Sequence, residues 1–374
     1  MIGEVVRKLA QNLDELIDER GLGDPFLSSH NYTAKPLGIE NFNPIKSVES
    51  NRKIAFIDGG NQPLVEAPNF SIQLNRVYFN LFSGRRAVQP SSLPQRVEFF
   101  SATVAKFRKE QIYYDTEILP LDDKLSTFLP DARDLSFSSM DRRIMAGTGR
   151  ADIARVATIA RRFAEWELAR HVTREELGEN DVLVMDGTLR TAFTNEAKYA
   201  RAAYAESKNR GVVYSGLSKT CRLFTTTGLS LLGALRKLAA DNDVAPMWYY
   251  YPIAESMSPE HEASIFIVKL NSQSPRAFRY EIQSQQASSL TPEAMNEIMS
   301  QLATNSSDIE FPGYPYGLID ADDNARVRYE EVEAYKVMLL SEVSKLGASA
   351  KFLRHMQSTD SHDVLNMMRG SSYE

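Results

Sequence analysis

The chain has 374 residues, 43% hydrophobic and 25% charged, which suits a globular protein of two or three domains. No apolar run approaches the ~20 residues that span a bilayer, and the charged opening MIGEVVRKLAQNLDELIDER lacks a signal-peptide core, so a cytoplasmic protein off the membrane is expected. A net charge of −6 excludes a protein coated in nucleic acid, though not one with a local basic groove, and the lone cysteine and five scattered histidines exclude an internal disulfide and argue against a histidine cage.

In chain order, residues 3–20 carry Val6, Leu9, Leu13, Leu16 and Ile17 at spacings of three and four, an amphipathic helix stopped by Gly21, Gly23 and Asp24-Pro25. Such a helix either packs on its own domain or docks a partner or second subunit. Residues 24–50 are polar and read as a linker. Residues 53–58, KIAFID, read as a short strand ending in Asp-Gly-Gly, followed by strands at 71–83 and 96–104. Residues 120–150 read as a long, partly mobile loop, and 151–171 as a strongly periodic helix. A strand at 181–185 ends in Asp186-Gly187, and a helix covers 195–208. Strands are expected at 211–216, 248–253, 265–270 and 277–283. Helices are expected at 292–303 and 327–346, the last with Val332, Tyr335, Leu339, Val343 and Leu346 on one stripe. The order implies a mixed α/β sheet with helices on both faces. The organisation expected is a helix and linker over 1–49, a central domain over 50–335 and a helix end and polar tail over 336–374.

Two positions share one local design. Asp58 and Asp186 each end an apolar strand and precede glycine, which puts an acid at a strand end beside the crevice where open sheets bind ligands. Asp-Gly is also a common turn, but two such units point to a joint site. On the 151–171 helix, counting about 100° per residue puts Glu167 near the middle of the apolar stripe defined by Ile153, Val156, Ala160, Phe163 and Ala164. A carboxylate on a buried face is costly unless it is paired or holds a metal. Glu165 falls outside the stripe and is the alternative. A fourth acid comes from LIDADDNA, as Asp322 or Asp320, in a stretch that also reads as a solvated loop. Convergent carboxylates suit phosphodiester hydrolysis, where two hard cations ~3.5–4 Å apart, Mn²⁺ or Mg²⁺, stabilise the attacking and leaving oxygens.

Lys219, in GLSKT after a strand, can hold a phosphate or steady a leaving oxygen, although the segment lacks phosphate-loop spacing. Arg85-Arg86, Arg142-Arg143 and Arg150 are candidate phosphate contacts. Trp248-Tyr249-Tyr250-Tyr251 serve core packing or base stacking. Cys221 reads as a small buried hydrophobe.

IAFIDGG, VLVMDGTL, GLSKT, SIFIVKLN and GYPYGLIDADDNARV, in that order across about residues 50–335, resemble the NurA nuclease domain. The resemblance implies a ribonuclease H-like fold, a homodimer, and Mn²⁺- or Mg²⁺-dependent DNA cleavage. The activities implied are 5′–3′ exonuclease on duplex ends and endonuclease on single strands, beside a HerA-type hexameric ATPase in DNA end resection. It assigns Asp58, Glu167 and Asp186 as metal ligands and Lys219 as a recurrent lysine. The closing Ala-His of the family reads Ala321-Asp322 here, which leaves the fourth ligand open. The competing expectations are a non-catalytic adaptor of the same fold and an RNA-cutting enzyme.

Overall fold

One strand organises the molecule, because its alternating residues write two cores at once. In Lys53–Ala67 (β1), Ile54 and Phe56 are buried toward one side and Ala55 and Ile57 toward the other. A strand buried on both faces belongs in the middle of a sheet covered by helices. The computed structural model describes residues 2–17, 21–145, 147–348, 351–352 and 354–356.

The other main strands are Phe70–Ser83 (β2), Arg96–Arg108 (β3), Gln111–Pro120 (β4), Val182–Asp186 (β5), Val213–Ser218 (β6), Trp248–Tyr250 (β7), Ala263–Lys269 (β8) and Phe278–Gln283 (β9). With three short strands they form a 12-stranded sheet in the order Phe42–Pro44, β7, β8, β9, β6, β5, β1, β2, β3, β4, Ser136–Ser138, with Arg86–Val88 on β2. β5 runs parallel to both β1 and β6, and the other neighbours are antiparallel. The unit β3-β2-β1-β5-β6 is the ribonuclease H-like arrangement.

The main helices are Ile2–Leu16 (α1), Ile153–Ala157 (α2), Ile159–Glu175 (α3), Glu196–Arg210 (α4), Leu231–Asp241 (α5), Pro292–Asn305 (α6), Tyr316–Ala325 (α7) and Tyr329–Lys345 (α8), with a short turn of helix at Ser284–Ser289. α2, α3 and α4 cover the Ala55 and Ile57 face, with Phe163, Trp166 and Tyr199 in that core. α6 and α7 cover the Ile54 and Phe56 face through Ile298, Met299, Leu318 and Ala321. α7 sits directly on β1: a Cβ on Gly317 would lie 2.0 Å from the Phe56 ring, so only glycine permits this approach. α5 closes a third core with Trp248, Tyr250, Ile265 and Ile267.

Several expectations change. β1 does not end at Asp58. It runs on to Ala67, paired along its length with β2, and Gly59-Gly60 lie inside the ladder opposite Val77 and Arg76. The glycines serve close approach from both faces instead of a turn. A Cβ on Gly59 would lie 2.5 Å from Glu165 Oε1, and one on Gly60 2.4 Å from the Ala325 carbonyl oxygen. Residues 24–50 are no plain linker, since Phe42–Pro44 extends the main sheet and Tyr32–Ala34 pairs with Ala254–Ser256. The 120–150 segment is packed down by buried Phe128, Leu135, Phe137 and Ile144. The acidic stretch LIDADDNA is helix α7, not a loop. β4 and α5 were not expected at all. The apolar stripe of α1 is not packed on the described chain: Val6, Leu9 and Leu13 are 57%, 57% and 48% exposed. Residues 18–20 and 357–374 of the expected termini lie outside the described residues.

Candidate metal centre

Parallel pairing sets the end of β5 level with Asp58, past which β1 runs on. Met185 is opposite Ile57, so the next residues, Asp186 and Asp58, stand side by side, and Asp186 is itself opposite Leu217, two residues before Lys219. Asp58 follows Phe56 and Asp186 follows Val184 in the two-residue alternation, which sends both carboxylates to the α7 face. Docking of α7 on β1 then brings Asp322 over these two aspartates. Carboxylate oxygens of Asp58, Asp186 and Asp322 lie within 4.8 Å of one another.

The ammonium of Lys219 stands among them, 2.6 Å from Asp322 Oδ1, 2.9 Å from Asp186 Oδ2 and 3.8 Å from Asp58 Oδ2. Tyr314, fully buried, donates its hydroxyl to Asp186 Oδ1 at 3.2 Å. The Gly59 N–H donates to Asp58 Oδ1 at 2.7 Å.

The charges are unbalanced. Burial pushes the Asp58 carboxyl up to about 9, and Asp186 and Glu165 add repulsion that Lys219 only partly offsets. Burial works against the Asp322 charge too, but Lys219 and Arg326 outweigh it and hold that carboxyl below its usual range. Burial disfavours the Lys219 charge, yet Asp186, Asp322 and Asp58 hold the ammonium well above its ordinary value. Burial and the neighbouring Asp186 likewise push the Tyr314 hydroxyl upward. Three hard oxygen donors compressed together and served by one flexible ammonium are the donor set a Mg²⁺ or Mn²⁺ ion takes.

The helix acid that approaches this cluster is Glu165, not Glu167. Glu165 is 3% exposed and takes Arg161 and Arg162, the latter at 3.0 Å. Arg161 also donates to the Gly59 carbonyl at 2.8 Å, and Arg162 donates to the Thr188 carbonyl at 3.2 Å and to Glu196 at 2.9 Å. Glu165 and its arginines therefore hold the backbone just beyond Asp58 and just beyond Asp186. The Glu167 carboxylate is bound by Arg170 at 2.7 Å, and neither it nor Glu165 belongs to the three-aspartate group. The apolar count on α3 misleads because the helix is buried nearly all round, with Trp166, Leu168 and His171 buried alongside Phe163 and Ala164. A stripe that wide does not fix which side meets the active edge.

On α7, Asp320 and Asp322 are about 200° apart, so only one can reach the cluster. Asp320 instead accepts from Asn80 Nδ2 at 2.7 Å. Tyr314 was not singled out from the sequence, although it stands inside the quoted GYPYG. Its signal was a tyrosine just before the Pro315 cap of the helix that carries the acids. Trp248, Tyr249 and Tyr250 are buried in the cores, and Tyr251 stacks on Phe266. Arg143 pairs with Glu260, and Cys221 is half-buried beside the α5 core.

Comparison with known proteins agrees with the ordered motifs. In structure the chain is similar to the NurA nuclease from Sulfolobus solfataricus, at 13% identity and a TM-score of 0.47 over 92% of this chain and 95% of that one. It is also similar to Ciona intestinalis endonuclease V bound to a 24mer DNA containing an inosine followed by a ribo-adenosine, at 10% identity and a TM-score of 0.34 over 74% of this chain and 85% of that one. Against Aquifex aeolicus Argonaute the identity is 7% and the TM-score 0.27, over 74% of this chain and 28% of that one. No curated protein matches the sequence. Residues 52–327 match the NurA domain, a span that contains every member of the acid cluster, and the chain belongs to the NurA family of nucleases.

Proposed function

We propose that the protein is a divalent-metal-dependent DNA nuclease whose centre is built by Asp58, Asp186 and Asp322, with Lys219, Tyr314 and Glu165 around them. The observation that carries this reading is the convergence of three aspartates from three separate elements on one sheet edge, within 4.8 Å. Asp58, Asp186 and Asp322 would hold the metal, which supplies Lewis-acid stabilisation of charge on the reacting phosphate oxygens when bound. Lys219, 41% exposed, is free to swing from the aspartates to a phosphate oxygen once another cation takes its place, and it carries its proton throughout because those acids favour the charged form. Tyr314 fixes the rotamer of Asp186 by its hydrogen bond. Glu165 acts through Arg161 and Arg162 on the two backbones that present Asp58 and Asp186.

The test is a cleavage time course on end-labelled single- and double-stranded DNA, with RNA alongside. DNA cutting is expected with Mn²⁺ or Mg²⁺ and none with EDTA. Cutting that persists in EDTA, or RNA cut in place of DNA, would defeat the proposal. The finer parts rest on the family resemblance: Mn²⁺ over Mg²⁺, two ions, 5′–3′ exonuclease and single-strand endonuclease action, a homodimer and a HerA-type hexameric ATPase partner. The exposed apolar stripe of α1 supports a protein contact there. Light scattering is expected to give twice the 42.1 kDa chain mass, and a mass of one chain would remove the dimer. Among the described residues no helix is long and apolar enough to cross a membrane.

A further inference from the structure

Positive charge is gathered on the sheet edge beyond the acids. β9 pairs antiparallel with β6, Arg279 opposite Ser218, and β8 pairs antiparallel with β9, Val268 opposite Phe278. Lys269, the last residue of β8, therefore lies on the same edge as Asp58 and Asp186. By alternation with Ile265 and Ile267 it is on the α5 face, so a nucleic-acid strand reaching both must cross the edge from the α7 face that carries the carboxylates. Three strand spacings separate β5 from β8, about 14 Å.

At that point a cleft of about 630 Å³ opens between the edge and α5, lined by Lys269, Arg236, Lys237, Asp241, Trp248 and Pro275. Lys237 pairs with Asp241 at 3.3 Å. Arg236 is exposed, and among the described residues neither it nor Arg276 has a carboxylate partner. The Lys269 ammonium is held by the carbonyls of Pro246 at 2.5 Å and Asn271 at 3.2 Å, which leaves one of its three N–H groups to spare. Burial and then repulsion from Arg236 lower its affinity for a proton. Two cations facing each other in a concave site, in a chain of net charge −6, repel until an anion enters.

The cleft is connected to the acids. Arg276, next to Pro275 in the chain, lies 4.1 Å over the Phe311 ring. Phe311 meets Tyr314 edge-on at 5.8 Å, and Tyr314 bonds to Asp186.

We infer that the cleft between Lys269 and Arg236 binds a backbone phosphate of the nucleic-acid strand whose scissile bond lies at the aspartates, with Arg276 on the path between them. The inference rests on the nuclease reading above. At 3.4 Å of helix axis per nucleotide, the roughly 14 Å in the plane of the sheet sets a minimum of about four nucleotides from the bond cut.

The test is fluorescence anisotropy of labelled single-stranded and duplex oligonucleotides with the full chain, in EDTA and at several salt concentrations. Arg236→Glu touches no hydrogen bond among the described residues and is expected to bind roughly five- to ten-fold more weakly, with the salt slope reduced by about one. Arg236→Lys is expected to keep most of the affinity. The difference between the parent and Arg236→Glu should vanish on oligonucleotides shorter than about four nucleotides. Equal affinity and equal slope in the parent and Arg236→Glu would overturn the assignment, as would failure of the parent to bind DNA. Cleavage by the parent, measured in parallel with Mn²⁺, separates this from the nuclease reading: intact cleavage with an indifferent Arg236 defeats the cleft alone.

Discussion

Replacing Asp58 or Asp186 with asparagine is expected to lower metal-dependent cleavage on the order of a thousand-fold or more while leaving the fold intact. Asparagine keeps the size and one oxygen but removes the charge that three elements converge to supply. The same substitution should move stability in the opposite direction. The Asp58 carboxyl titrates near 9 in the folded chain against an ordinary 3.8, so the folded state holds a proton that the unfolded chain has released. Metal-free stability from this group is therefore full below its ordinary value and falls as pH rises from 3.8 toward about 9. An amide at this position has no charge to repel, so Asp58→Asn should melt a few degrees above the parent in EDTA at pH 7, with a flatter pH profile. Added Mn²⁺ should raise the melting temperature of the parent and not of the variant, because a ligand stabilises only the state that binds it. A variant that melts lower than the parent in EDTA, or that still cuts at the parental rate, would remove Asp58 from the centre.

The second large effect separates two acids two residues apart. Glu165→Ala should destabilise the protein by about 3 kcal/mol, since it strands Arg161 and part of Arg162 beside a carboxylate site that is 4% exposed. It should also reduce cleavage, because Arg161 then loses the partner that aims it at the Gly59 carbonyl. Glu165→Gln, which keeps the shape and an acceptor, is expected to recover much of the stability but not the full activity. Glu167→Ala removes an i,i+3 contact with Arg170 at a half-buried carboxylate, so it should cost less than Glu165→Ala, about 1–2 kcal/mol, and leave cleavage near the parental rate. Urea denaturation gives the first pair of numbers and cleavage rates the second. Equal effects of the two alanine variants would refute the placement of Glu165.

The residue pattern alone determined a good part of this protein. Continuous apolar runs in KIAFID and VLVMD give central strands buried on both faces, and Asp58 and Asp186 stand out because an acid ends each run. Lys219 was legible for the same reason, at the end of a fully buried strand. Tertiary structure decided the rest. Gly59-Gly60 read as a turn, because nothing local says that β2 pairs across them or that Glu165 and Ala325 need their space. Glu167 was preferred to Glu165 because periodicity reports that a side is buried, not what buries it, and α3 is enclosed by the sheet, α4 and its own arginines. Asp322 and Asp320 were indistinguishable until α7 docked on Phe56 with one helical phase. Tyr314 carried no mark beyond its place before the Pro315 cap. A site assembled from residues 58, 186, 219, 314 and 322 exists only through strand register and helix docking, which are set by contacts between segments far apart in the chain.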